Sequence, residues 1–273
     1  MILPLSTRKY LSVLINQKPW FGAPVRNWWT QELLRDFAEK DSSGYHRFLW
    51  SHHLAYAESY ETDKRFGEEN MKGSRKLFFS DLEKYLVNSG IDPHTGVRSV
   101  LEVGCSLGYQ LHYLETNLFT AASEFEGIDI DSHAITQGAE YLKLLGSKVR
   151  LHCADMDNLS RIMRNKIFDI IICTGVLMYL EEKEAVSVVE KMLNHCRVML
   201  ALSGPANPGQ DNCHLEHSVV RERDGSFIHN LDTSVKESGG SVIGRRWEGE
   251  RVIDGHTVYF VFAKKDLSEI SQG

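Results

Sequence analysis

Val100-Leu-Glu-Val-Gly-Cys-Ser-Leu-Gly-Tyr109 is an apolar strand that runs into a glycine turn and then into a helix. Gly104 and Gly108 allow the backbone to turn tightly and to approach a ligand with no Cβ in the way. The N-terminus of the following helix offers N–H groups without intrahelical partners. A second apolar stretch, Phe125 to Ile130, ends in Gly127-Ile-Asp-Ile-Asp131, and Asp129 lies 21 residues after Gly108. That offset brings an acid at the tip of a second strand to the ribose of a bound nucleotide. A carboxylate there accepts both vicinal hydroxyls in charge-assisted hydrogen bonds, while Asp131 with Ser132 caps the next helix.

Working outward, short apolar runs alternate with amphipathic ones. Strands are expected at Ser99–Val103, Phe125–Ile130, Val149–Cys153, Phe168–Cys173 and Val198–Ser203. Helices fall between them at Tyr109–Leu118, Ser132–Leu145 and Lys183–His195. This is how a parallel βαβ sheet reads. Ser241–Trp247 and Thr257–Ala263 alternate and look like a hairpin that finishes the sheet. Before residue 97 the pattern is helical, with helices expected at Thr30–Lys40, Gly44–Tyr60 and Ser74–Val87, and with four of the five tryptophans in the first 50 residues. Gly90, Pro93 and Gly96 mark the boundary. The expected organisation is a helical extension or lid over 1–96 and a ligand-binding α/β domain over 97–273.

Composition bounds the function. The 273 residues are 42% hydrophobic and 25% charged, a globular balance that excludes collagenous, largely disordered and polytopic membrane chains. A formal charge of −6 gives no global reason to bind a phosphate backbone, so nucleic-acid acceptors are disfavoured. Five scattered cysteines without C-x-x-C spacing suggest neither a disulfide framework nor structural zinc. A reducing, cytoplasmic setting is expected, with no signal peptide and no membrane span.

The ordered landmarks resemble the cofactor-binding half of the class I S-adenosylmethionine-dependent methyltransferases. Glu102-Val-Gly104-Cys-Ser-Leu-Gly108 is similar to that family's acidic-glycine motif and Asp129 to its ribose-binding acid. Ala154-Asp155-Met156 is similar to its adenine-edge motif, and Phe168 to Leu180 to its fourth strand and following loop. The chain departs at Ser106, where the family often has glycine. The resemblance implies a Rossmann-like, seven-stranded, mostly parallel sheet with an antiparallel C-terminal hairpin strand, S-adenosylmethionine as cofactor and S-adenosylhomocysteine as product. It implies that Gly104, Cys105 and Gly108 line the methionyl moiety and that Glu102 orients the loop or the amino group. Asp129 would hold the ribose, Ile130 and Met156 would sandwich adenine, Asp155 would accept its amine, and the Thr174 backbone would face the methionine amino group.

A small-molecule acceptor is expected, because the chain is acidic and no Asn-Pro-Pro-Tyr or Asp-Pro-Pro-Tyr segment and no Pro-Cys pair is present; an oxygen nucleophile is the first expectation and nitrogen the second. His214 and His217, in the insertion after the fifth strand, are the candidate general bases, and Tyr56 and Tyr179 the candidate acceptor contacts. No metal is expected. Two rivals remain at this stage. A nicotinamide-dependent oxidoreductase also uses a glycine turn and an acid, but the stretch lacks the G-x-G-x-x-G register. A methyltransferase-like domain without catalysis would serve as a binding module.

Overall fold

The computed structural model describes residues 3–18, 22–54, 61–253 and 255–266. Among the described residues six α-helices precede the sheet: α1 (Leu5–Asn16), α2 (Ala23–Lys40), α3 (Ser42–Ser51), α4 (Thr62–Phe66), α5 (Gly73–Asn88) and α6 (Pro93–Gly96). The helix α1 was not anticipated from periodicity. It is held by Arg8, whose guanidinium pairs with Asp36 and donates to the Leu33 carbonyl at 2.8 Å. The helix expected over Gly44–Tyr60 is shorter. It begins at Ser42 because Asp41 caps it through Gly44 N–H, and it ends at Ser51, just before His53 takes a left-handed φ of +56°. Tyr56, a candidate acceptor contact, lies outside the described residues.

The chain then alternates: β1 (Ser99–Val103), α7 (Tyr109–Tyr113), β2 (Glu124–Asp129), α8 (Ser132–Leu144), β3 (Val149–Cys153), α9 (Leu159–Met163), β4 (Phe168–Thr174), α10 (Glu182–Asn194) and β5 (Cys196–Gly204). Two short strands follow, β6 (Val219–Val220) and β7 (Phe227–Ile228), then α11 (Leu231–Glu237), β8 (Gly240–Ile253) and β9 (His256–Lys265). The seven-stranded sheet has the order β3-β2-β1-β4-β5-β9-β8. Strands β1 to β5 pair in parallel, and β9 runs antiparallel between β5 and β8. This is the expected Rossmann-like sheet. The stretch Leu114–Leu118, expected as plain helix, continues α7 as a wider turn closed by Phe119 N–H on the Leu114 carbonyl.

The central strands are apolar throughout because both of their faces are covered. Val100, Ile170, Ile172 and Met199 face one core; Leu101, Val103, Ile171 and Leu200 face the other. The first core is completed by Phe78, Phe79, Leu82 and Leu86 of α5, with Phe78 stacked 5.6 Å from Phe262. The second core takes Val188, Val189, Met192 and Leu193 of α10. Helices α1–α3 have a cluster of their own around Leu33, Leu34, Phe37 and Phe48. No described helix is long and apolar enough to cross a membrane.

Candidate active site

The carboxyl ends of β1, β2, β3 and β4 open into a cavity of about 860 Å³. Its floor is the glycine turn. Gly104 has φ +82°, and a Cβ there would meet the Val176 side chain at 2.1 Å, so only glycine lets β1 and the loop after β4 approach this closely. Ser106 has a left-handed φ of +50°. It thus takes the backbone handedness that glycine favours, and its N–H donates to Asp129 Oδ2 at 2.7 Å.

Asp129 closes the turn from the β2 side. Its Oδ1 accepts from Asp131 N–H at 2.9 Å, so each carboxylate oxygen holds one backbone amide and keeps a lone pair for another donor. Burial pushes the Asp129 carboxyl above the ordinary carboxylate range, against the pull of those amides. Asp131 caps α8 through His133 and Ala134 N–H and contacts His53 Nδ1 at 2.7 Å.

Glu102 is fully buried on β1. Burial, reinforced by the nearby charge of Asp129, raises its carboxyl well above the usual range. Gln110 Nε2 donates both to Glu102 Oε1 and to Thr174 Oγ1, each at 2.8 Å. Glu102 Oε2 has no side-chain hydrogen-bond partner among the described residues. Gln110 thus bridges β1 and β4 at the cavity, a role the sequence reading missed. The available signal was its place in the first turn after Gly108, where a helix side chain faces the strand it has just left.

At the far end of the cavity, Asp155 Oδ1 accepts from Asp157 N–H, and Asp155 Oδ2 is 2.9 Å from Arg47 Nη1 of α3. Arg47 also reaches Asp157 at 2.7 Å and Glu184 at 3.8 Å. The helix α3 is further tied to the start of α10 by Ser43 Oγ, which accepts from Glu181 N–H, and to the β6–β7 loop by Ser42 Oγ, which donates to the Gly225 carbonyl. Nothing in the sequence signals a pair 108 residues apart. Tyr179 is packed 5.0 Å from the His46 ring and 5.3 Å from that of Trp50, so the roof is aromatic.

Of the residues singled out in the sequence, Gly104, Cys105, Asp129, Ile130, Asp155, Met156, Thr174 and Tyr179 line the cavity. Glu102 lies just behind it. Gly108 caps α7 with φ +78° and is set back from the lining. Met156 also packs into the second core. His214 and His217 are not brought to the cavity: both are exposed, and His217 faces Glu182 at 3.7 Å. The reason is Asn212, which turns inward and donates to the Pro205 and His229 carbonyls, leaving the end of its turn pointing outward.

Residues 100–198 match the family model described as a methyltransferase domain. No curated protein sequence matches the chain. Among solved structures, magnesium protoporphyrin IX methyltransferase from Synechocystis PCC 6803 with bound SAH is similar at 15% identity and a TM-score of 0.52, with 86% of this chain and 100% of that one covered. A putative sarcosine dimethylglycine methyltransferase from Galdieria sulphuraria is similar at 13% identity and a TM-score of 0.53, over 70% of this chain and 84% of that one. At such identities these structures speak for the fold, and the family match speaks for the chemistry. Residues 100–198 of the chain therefore form a methyltransferase domain.

Proposed function

We propose that the enzyme methylates a small-molecule acceptor, on oxygen in preference to nitrogen, in the cavity over the strand tips, within a cytoplasmic setting. The observation that carries the acceptor class is the enclosure itself. Helix α3 and the β8–β9 hairpin bound a space of about 860 Å³, the size of a small-molecule site rather than of a nucleic-acid groove.

The residues present fit S-adenosylmethionine. The glycine turn leaves room for the methionyl chain, Glu102 Oε2 has no side-chain partner among the described residues and can take a donor, and Asp129 keeps lone pairs toward the cavity. We assign the ribose hydroxyls to Asp129, the adenine faces to Ile130 and Met156, its amine to Asp155, and the amino group to the Thr174 backbone with Glu102 behind it. When bound, the cofactor supplies a methyl group on a sulfonium, which needs no further activation.

The chain's own task is to hold the acceptor in line with that methyl and to exclude water. Orientation of this kind contributes up to about 7–11 kcal/mol. Tyr179 and Trp50 cover the space from above, and the Arg47–Asp155 pair holds α3 down on it. His214 and His217 take no part in this reading because both are exposed away from the lining.

Calorimetric titration tests it. Micromolar or tighter binding of S-adenosylhomocysteine, with no heat from NADH, is the expected result. NADH binding would restore the oxidoreductase reading, and silence toward both would leave a binding module.

A further inference from the structure

The cavity wall holds more positive charge than its own carboxylates take up. Arg47 is engaged by Asp155 and Asp157, and Arg221 by Asp224 at 3.4 Å. The two Asp129 oxygens each hold a backbone amide. Three further arginines line the same cavity: Arg65, which has a partner of its own, and Arg75 and Arg223. Arg75, in the first turn of α5, makes its direct contacts with neutral groups among the described residues, and its charge also acts on the buried Glu102 carboxyl, whose pKa burial nevertheless raises. Its Nη1 donates to the Asn70 carbonyl at 3.0 Å, and its guanidinium lies 5.4 Å from the Tyr109 ring centroid. Arg223, on the loop between β6 and β7, makes no hydrogen bond or ion pair with a described residue. This occurs in a protein whose formal charge is −6, so cavity arginines are not a by-product of a basic composition.

The cofactor does not restore the balance. Its carboxylate is offset by its ammonium, and its sulfonium adds one positive charge. We propose that the acceptor carries an acidic group, a carboxylate or a phosphate, received by Arg75 and Arg223 while an apolar body rests against Phe78 and Phe260 of the same wall. A planar guanidinium matches either oxyanion through paired N–H donors, and a half-enclosed site screens the attraction less than open water does. The acid is here the handle that orients the acceptor. The inference rests on the cofactor reading above.

The test uses the whole chain loaded with S-adenosylhomocysteine and titrated with matched pairs: 2-naphthoate against 2-naphthamide, and 2-naphthyl phosphate against 2-naphthol. At least one acid binds ten-fold or more tightly than its neutral partner, and the stronger acid tells carboxylate from phosphate. The preference weakens at high salt. It falls five-fold or more in Arg223→Gln, an exposed position that leaves folding intact, and vanishes in Arg75→Gln/Arg223→Gln. Equal affinities within both pairs, no heat from either acid, or a preference that survives both substitutions would overturn the inference. Failure of S-adenosylhomocysteine itself to bind would instead overturn the cofactor reading.

Discussion

At the scale of single residues, the turn between β1 and α7 concentrates the constraints. Asp129 joins two tasks, since the carboxylate proposed for the ribose also holds Ser106 and Asp131 N–H. Asp129→Ala should weaken S-adenosylhomocysteine binding by about 1.5–3 kcal/mol, read by calorimetry. It should also lower the melting temperature, because two amides lose their acceptor. Its raised pKa means that cofactor affinity starts to fall at a higher pH than an ordinary aspartate would dictate. Ser106 makes the opposite prediction. A non-glycine residue at φ +50° is strained, so Ser106→Gly should be neutral or stabilising by up to about 1 kcal/mol in thermal melts, with the N–H to Asp129 retained.

At the scale of elements, β2 is clamped through Glu126, which is 2% exposed. His152 of β3 at 3.3 Å, together with Lys166, holds its carboxyl down to about 2, and Arg150 joins at 2.9 Å. Because the folded pKa lies below the unfolded value, this stabilisation is complete above the ordinary glutamate range and drains away as pH falls toward 2. Glu126→Gln should cost about 2 kcal/mol in urea denaturation at pH 7, and the gap from the parent chain should narrow steadily below pH 5. Helix α3 depends on a more exposed clamp. Arg47→Ala should cost about 1 kcal/mol or less, and the loss should appear as faster amide hydrogen exchange in Ser42–Ser51 with the β4 amides unchanged.

For the whole molecule, the helices before the sheet belong to two packing units. The helix α5 is part of the sheet's first core, whereas α1–α3 form a separate cluster laid over the strand tips. The ligand-binding end is therefore bounded by the less extensively packed unit. A ligand that bridges the sheet and α3 should stabilise both. S-adenosylhomocysteine at a hundred times its dissociation constant should add about 2.7 kcal/mol. For a chain of this length that is a rise of roughly 5–10 °C in the melting temperature. NADH should give none.

The sheet, its strand positions, the glycine turn and the acid at the tip of β2 were legible in the amino-acid sequence, because they rest on local hydrophobic period, on glycine's access to left-handed backbone and on fixed spacing along one βαβ unit. Strand β8 runs six residues past the expected Trp247 because its pairing with β9 resumes at Ile253, a tertiary matter. The same holds for the site's roof. Arg47 on Asp155, Gln110 between Glu102 and Thr174, and Arg75 beside Tyr109 join residues on different elements, and no periodicity records which side chains the fold will bring within hydrogen-bond distance. His214 and His217 had the right chemistry on the right side of the sheet, yet the inward turn of Asn212 left them in solvent. Local pattern determined the scaffold and the cofactor turn; packing across the chain decided which charged groups face the cavity.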